Sequence, residues 1–146
     1  MTAQRFARLG LLITTLVVGL TALAGGAALI AGSVEASLAT VLTPPVGYLD
    51  GSPFDSYLIP GVILGVVLGG VHLAAFVLVF RRHDRWILAG AIAAFDALIW
   101  IFVQMMFIPF SFLQAFYFAL GLAEVGLVML ALGVLIPVKH HPLHRV

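Results

Sequence analysis

The chain has 146 residues, of which 63% are hydrophobic and only 9% carry a charge, and its formal net charge is +1. This composition excludes an ordinary water-soluble domain, in which about a quarter of the residues are charged. The absence of cysteine excludes disulfide frameworks, thiolate catalysis and cysteine-ligated metals. We therefore expect one domain that lies in a lipid bilayer, and the small net charge gives no indication of nucleic-acid binding.

Four apolar stretches are each long enough to cross a bilayer core, which takes roughly 20 helical residues. They cover residues 9–31, 58–80, 86–108 and 112–136. The apolar runs are continuous rather than alternating, so they predict helices and not barrel strands. The predicted fold class is an all-α integral membrane protein, a single four-transmembrane-helix bundle with an outer loop at 32–57 and a cytoplasmic tail at 137–146. The first stretch is too long for a signal peptide, which predicts an uncleaved helix.

The basic residues predict the orientation of this bundle. All seven fall on one side of it: Arg5, Arg8, Arg81, Arg82, Arg85, Lys139 and Arg145. The outer loop instead carries the acidic residues Glu35, Asp50 and Asp55. Short basic segments stay in the cytoplasm, so both termini are expected inside. A multi-pass protein of the bacterial cytoplasmic (inner) membrane fits this charge pattern and the Gly- and Ala-rich composition.

The end of the outer loop contains a helix-start pattern. Ser52-Pro53-Phe54-Asp55 has the residues of a capping box with proline at the first helical position. If the second helix begins at Pro53, Pro60 lies inside it and is expected to kink it.

The second helix carries glycines at successive i+4 positions, Gly61, Gly65 and Gly69. Such a face lets another helix approach closely in lipid. It predicts a packing seam, within the bundle or between copies of the chain, and leaves a homo-oligomer or a larger membrane complex open.

One ionisable residue interrupts each of the last three apolar stretches, namely His72, Asp96 and Glu124. Counted from the cytoplasmic ends of their helices, they lie about 12, 15 and 18 Å deep, at the helical rise of about 1.5 Å per residue. They are therefore expected to share one layer of the bundle. Ionisable groups at that depth are costly, and they mark proton, ion or ligand sites.

Other polar residues continue the lines of Asp96 and Glu124 at helical spacing. Trp100 and Gln104 follow Asp96 on the third helix, whereas Gln114, Tyr117 and Gly121 precede Glu124 on the fourth. Because a short turn joins these antiparallel helices, the two stripes are expected to face each other. They predict a second polar layer of Gln104 and Gln114 toward the outer side, with Trp100 and Tyr117 in between.

The chemistry that these residue types favour is proton binding and transfer. Two carboxyls do not readily ionise together at low dielectric, and a histidine can hold or pass a proton between them. No HExxH or repeated ExxH pattern supports a metal site, and no pattern identifies a cofactor. The structural alternatives are a neutral His72 bonded to a backbone carbonyl and a hydrogen-bonded pair of carboxyl groups that only holds the bundle together.

Several motifs carry a resemblance to known proteins. They are Ser52-Pro53-Phe54, Tyr57-Leu58-Ile59-Pro60-Gly61, Phe112-Leu113-Gln114, Tyr117-Phe118, Gly121-Leu122 and Glu124. This pattern resembles uncharacterised bacterial four-helix membrane proteins, and the layout is similar to that of DoxX-like proteins. The resemblance covers most of the chain beyond the first helix and implies the four-helix fold. Some DoxX relatives have quinone-linked roles, but the analogy of layout implies no activity here.

Three functions follow as hypotheses. The first is a membrane protein whose polar site binds or moves a proton together with a small hydrophobic ligand. The second is an accessory or scaffold subunit that docks through the glycine face of the second helix, and the third is a small quinone-linked redox subunit. An enzyme is not indicated. A cavity that reaches His72, Asp96 and Glu124 would favour the first hypothesis, and a solid interior with a free glycine face would favour the second.

Overall fold

The computed structural model describes residues 2–135, and these are helical with short connections. The elements in chain order are α1 (Ala3–Val34), the short α2 (Ala36–Leu42), a 3-10 turn (Val46–Leu49), α3 (Leu58–Phe80), α4 (Trp86–Phe107) and α5 (Phe112–Ala131). The helices α1, α3, α4 and α5 are long and apolar enough to cross a membrane, which confirms the predicted all-helical class. The described residues do not include Ile136 or the predicted tail at 137–146, which carries Lys139 and Arg145.

The four long helices form an antiparallel ring. In this ring α1 packs on α3, α3 on α4, α4 on α5, and α5 on α1. Large apolar side chains point outward from every helix, among them Ile13, Val66, Ile99 and Leu122. An apolar outer surface of this extent is what lipid contact requires. The centre of the ring is consequently the place where polar side chains are shielded from lipid.

Basic side chains gather at one end of the ring. Arg8 extends from the start of α1 to the end of α3, where Nε donates to the Val79 carbonyl at 3.1 Å and a terminal nitrogen donates to the Phe80 carbonyl at 3.3 Å. These carbonyls belong to the last turn of α3, which has no intrahelical donors for them. A cation at the negative end of a helix is also electrostatically favourable.

The helix α3 begins at Leu58, so the conditional prediction of a start at Pro53 is wrong. Ser52 Oγ accepts only a local hydrogen bond, from the Phe54 N–H at 3.3 Å. The hydroxyl of the buried Tyr57 donates to the Pro45 carbonyl at 2.8 Å, which fixes the loop over the start of the helix. Burial, followed by the nearby Tyr48, raises the pKa of Tyr57 above its ordinary value.

Pro60 lies in the first turn of α3, where its missing N–H has no intrahelical acceptor to lose. The irregular part of α3 comes later, as a widened π-helical segment at Leu64–Gly69. Such segments are rare and occur frequently at functional sites. The segment ends three residues before His72, so it adjusts the direction in which the imidazole leaves the helix.

The glycine face of α3 packs against α1. A Cβ atom on Gly61 would lie 2.9 Å from the Gly26 carbonyl oxygen, and a Cβ on Gly69 would lie 3.1 Å from the Leu23 side chain. The glycines therefore form a seam inside this bundle. Docking of another protein through this face would require α1 to move away.

The seam leaves no room for a methyl group at Gly26. A Cβ there would lie 2.6 Å from the Gly61 carbonyl oxygen and 2.8 Å from the Gly65 nitrogen, and both are backbone atoms that cannot rotate aside. We expect Gly26→Ala to lower the free energy of unfolding by about 1–3 kcal/mol, the usual cost of overpacking. Thermal unfolding in detergent measures the effect. Gly126→Ala is the matched control, because a Cβ at Gly126 meets no atom within 4 Å, and an equal loss in both variants would contradict the seam.

Candidate functional site

The three intramembrane ionisable side chains meet in the centre of the ring. His72 from α3 and Glu124 from α5 are both fully buried, and their atoms Nε2 and Oε2 lie 3.4 Å apart across the ring. Asp96 from α4 lies beside them, with Oδ2 3.8 Å from His72 Nδ1. The helices α3 and α5 are not neighbours in the ring, so only side chains that point into the centre can meet this way.

Backbone hydrogen bonding fixes the state of one imidazole nitrogen. His72 Nδ1 lies 2.8 Å from the Leu68 carbonyl oxygen. A carbonyl oxygen only accepts, so Nδ1 carries a hydrogen and donates it. In a neutral imidazole Nε2 is then a bare acceptor that faces Glu124. This is the carbonyl bond that the structural interpretation of His72 requires, but it satisfies only half of the ring.

The other half of the cluster has no ordinary hydrogen bond. Within residues 2–135, four buried polar atoms lack a hydrogen-bond partner: His72 Nε2, Asp96 Oδ2, Glu124 Oε1 and Glu124 Oε2. Buried polar groups are nearly always paired, since an unpaired one costs about 1–3 kcal/mol. Four such atoms in one cluster are an exception that calls for a physical explanation.

A proton shared between His72 and Glu124 supplies that explanation. With Nδ1 as donor, a negatively charged Glu124 facing a bare Nε2 would place two acceptors against each other. One proton between them gives either a carboxylic acid that donates to Nε2 or an imidazolium paired with a carboxylate. Both arrangements have the same net charge, so the proton can change sides without moving charge out of the cluster.

Asp96 is the member of the cluster that reaches its edge. Its side chain is 19% exposed, whereas the side chains of His72 and Glu124 are fully buried. The helix positions beside it, Ile92 and Ile99, face outward. Asp96 therefore lies at the outward edge of the cluster, beside the Nδ1 atom of His72 rather than beside the Nε2 atom that faces Glu124.

The helix α1, which completes the ring, contributes no charged side chain to the cluster. The inner face of α1 carries the buried Thr15, whose hydroxyl donates to the Leu11 carbonyl of its own helix. Leu11 packs with Val79 and Val128 on one side of the cluster level. Among the described residues, no group of three His, Asp or Glu side chains has an arrangement that could hold a metal ion.

A cavity of about 280 Å³ lies on the outer side of the cluster. The remaining predicted site residues all line it: Trp100, Gln104, Gln114 and Tyr117. Leu64 and Leu68 of α3, Thr21 of α1 and Pro44 of the outer loop complete much of its wall. The predicted second polar layer thus lies around one space between the helices.

This cavity does not reach His72, Asp96 or Glu124. An apolar layer that includes Val18, Leu68 and Ala97 packs at its inner end. Two residues of the cavity wall nevertheless lie one helical turn from the cluster. Leu68 precedes His72 by four positions, and Trp100 follows Asp96 by four. Both Leu68 and Trp100 line the cavity, so a molecule in it would touch Leu68, whose carbonyl holds His72, and the residue one turn from Asp96.

No protein-family model, curated protein or solved structure matches this chain. The resemblance to DoxX-like proteins accordingly stays a prediction from sequence motifs, and the site is interpreted from its own geometry.

Sequence patterns did not single out Leu68, Thr21 and Pro44. Leu68 is the i−4 neighbour of His72, the position whose carbonyl a histidine in a helix can reach, so the spacing contained a usable signal. Thr21 faces the cavity only because α1 turns that side toward α5, and Pro44 reaches it through the path of the outer loop. Neither of these placements has a local sequence signal.

Proposed function

We propose that this chain is a multi-pass membrane protein that binds a small hydrophobic ligand in the outer cavity and takes up or releases a proton at the His72, Asp96 and Glu124 cluster. The ligand and the proton are linked through Leu68 and Trp100. The role proposed for the protein is ligand binding or transport.

The single observation that carries this proposal is the contact between His72 and Glu124. These two side chains are fully buried, and His72 Nε2 and Glu124 Oε2 lie 3.4 Å apart without a hydrogen bond. One exchangeable proton between the two atoms would provide that hydrogen bond. A purely structural pair would be expected to satisfy its polar atoms, because unpaired groups in lipid are costly. Ionisable residues in spanning helices mark proton relays in many transporters.

The cavity does not reach His72, Asp96 and Glu124, as the first hypothesis had required, but its lining supports the ligand part of the proposal. It is mainly apolar and carries a few polar groups from α4 and α5, which is the usual composition of a small-molecule site. Ligand contact with Leu68 can shift the carbonyl that holds His72 Nδ1. Such a shift changes the Nε2 to Glu124 distance, and with it the position of the shared proton.

The scaffold hypothesis has less support. Its docking surface was the glycine face of α3, and this face is in contact with Leu23 and Gly26 of α1. The quinone-linked hypothesis requires a redox step, and no observation on the described residues indicates one. Both remain outcomes that the experiment below can reveal through co-purified partners or chromophores.

We further propose that both termini lie in the cytoplasm of a bacterium and that the bundle spans its inner membrane. Arg5, Arg81 and Arg85 lie at one end of the ring, whereas Asp50 and Asp55 lie at the other. The positive-inside tendency of short loops places the basic end in the cytoplasm.

The variant Glu124→Gln, which removes the shared proton, tests the proposal. The amide keeps the size of the side chain but cannot hold the exchangeable proton. We expect the folded variant, purified in nanodiscs beside the wild type, to lose co-purified small molecules by at least about tenfold, a difference of about 1.4 kcal/mol in binding. Mass spectrometry of organic extracts, with absorbance for chromophores, measures the loss.

Glu35→Gln is the matched control, because it makes the same chemical change at an exposed carboxylate of the outer loop. This control is expected to keep the wild-type ligand content and melting temperature. The proposal fails if neither wild type nor variant carries a small molecule and Glu124→Gln only melts earlier. Glu124 would then be structural.

A further inference from the structure

We infer that the cavity ligand is a membrane-soluble molecule with a hydrogen-bond-accepting carbonyl oxygen, and that it enters from the bilayer between α1 and α5. This inference rests on the proposed function and specifies the ligand class of the same site. It follows from two features of the cavity wall, its open side and its set of polar groups.

The open side of the cavity lies between α1 and α5. Thr21 of α1 and Leu113 of α5 line the cavity and are themselves exposed on the outer surface. Toward the other end, the same two helices close on each other, and a Cβ on Gly10 would lie 2.7 Å from the Leu127 side chain. The outer loop covers the space from above, where Pro44 lines it and Pro45 is bonded to Tyr57. Access is therefore lateral, from the apolar part of the bilayer.

Three side chains that line this space, Trp100, Gln104 and Gln114, carry N–H donors, and Gln104 and Tyr117 also carry acceptor oxygens. Gln114 is 95% buried, since its relative exposure is 5%, and its Oε1 already accepts the Ser111 N–H at 2.8 Å. Its amide NH₂ has no partner among the described residues. The Trp100 indole contributes a second N–H donor to the lining, and the Gln104 amide contributes a third. Donors that converge in an apolar cavity favour a ligand that brings an acceptor and no charge.

Among residues 2–135, no charged side chain lines the cavity, so an ionised ligand would lack a counter-charge there. The volume of about 280 Å³ admits a compact body of one or two rings or a short chain, but not a whole phospholipid. A lipid could still insert one acyl ester. The shared chemistry is thus a carbonyl on an apolar frame, from a free small molecule or from a lipid ester.

The test uses 6-propionyl-2-dimethylaminonaphthalene, an uncharged aromatic ketone. The Trp86→Phe protein in nanodiscs leaves Trp100 as the sole tryptophan, and energy transfer from Trp100 to the ketone reports binding. We expect a saturable signal that protein-free nanodiscs lack. The 6-propyl analogue without the carbonyl is expected to bind about tenfold more weakly.

Two variants locate the binding. Gly25 lines the cavity, so Gly25→Leu is expected to abolish the saturable signal, whereas Gly126→Leu faces open space and is expected to keep it. Gln104→Leu is expected to reduce the preference for the ketone over its propyl analogue by about fivefold. Weaker ketone binding in ester-lipid than in ether-lipid nanodiscs would identify a lipid ester as the natural occupant, and equal binding would identify a free molecule.

The inference is overturned if wild-type protein shows no saturable ketone signal, if the propyl analogue binds equally well, or if Gly25→Leu has no effect. The proposed function is judged separately, by the co-purified ligand of wild type and Glu124→Gln. A retained ligand without a carbonyl would overturn the ligand class alone. Saturable ketone binding together with an unaltered Glu124→Gln protein would overturn the proton coupling alone.

Discussion

His72→Leu is expected to lower the free energy of unfolding by about 1–3 kcal/mol, whereas His72→Leu combined with Glu124→Met is expected to stay within about 1 kcal/mol of the wild type. The single variant leaves both Glu124 oxygens buried with no partner that can share a proton. The double variant removes both polar groups and fills the space with apolar side chains of similar volume. Replacement of a buried pair by apolar residues is often neutral or stabilising.

Equilibrium unfolding in mixed micelles containing sodium dodecyl sulfate measures these differences for the wild type, both single variants and the double variant. The coupling energy of this cycle is expected to be at least about 1 kcal/mol, as for residues in direct contact. We also expect the double variant to lose the co-purified ligand although it is folded. Additive losses in the double variant would contradict a coupled pair, and an unchanged ligand content would contradict its use in function.

Asp96→Asn is expected to slow proton exchange at the His72 ring by about a hundredfold, the usual contribution of a positioned acid or base. Asp96 is the one partly exposed member of the cluster, and its Oδ2 lies 3.8 Å from Nδ1. The amide retains size and polarity but does not relay a proton. Because spanning positions of α1 carry no charge, no other ionisable side chain faces His72 from that helix.

Nuclear magnetic resonance of ¹⁵N-histidine protein measures this exchange rate after transfer of the nanodiscs to deuterated buffer. Asp55→Asn, at the outer end of the bundle, is the control and should exchange at the wild-type rate. Equal rates in Asp96→Asn and the wild type would mean that water reaches His72 by another route.

The fold was accessible to prediction because lipid imposes a strong and local requirement. A spanning helix must satisfy its own backbone and present about 20 apolar residues, so composition and run length identify it. The same rise per residue predicted a shared layer for His72, Asp96 and Glu124, and these three side chains lie together in the centre of the ring. The start of α3 was harder, because Ser52 and Pro53 have helix-start chemistry but the contact of Tyr57 with Pro45 holds this segment in the loop.

The site was only partly accessible. Spacing placed Trp100, Gln104, Gln114 and Tyr117 toward one space, but the apolar layer of Val18 and its neighbours that separates them from the cluster depends on how four helices meet. The π-helical segment before His72 has no clear sequence signature. The glycine face of α3 packs on α1 because Gly26 of α1 allows the two backbones to approach closely. This pairing could not be predicted from the spacing of the glycines in α3 alone.

The most direct test of the shared proton is the ¹⁵N spectrum of the His72 ring in lipid bilayers, compared between wild type and Glu124→Gln. We expect Nδ1 to carry a hydrogen in both proteins, and the wild-type Nε2 signal to lie between those of a bare and a protonated nitrogen. In Glu124→Gln the Nε2 signal should move to that of a bare nitrogen. A wild-type ring with a bare Nδ1 and a protonated Nε2 would contradict the hydrogen bond to Leu68, and an Nε2 signal unaffected by Glu124→Gln would contradict a proton that moves between Glu124 and His72.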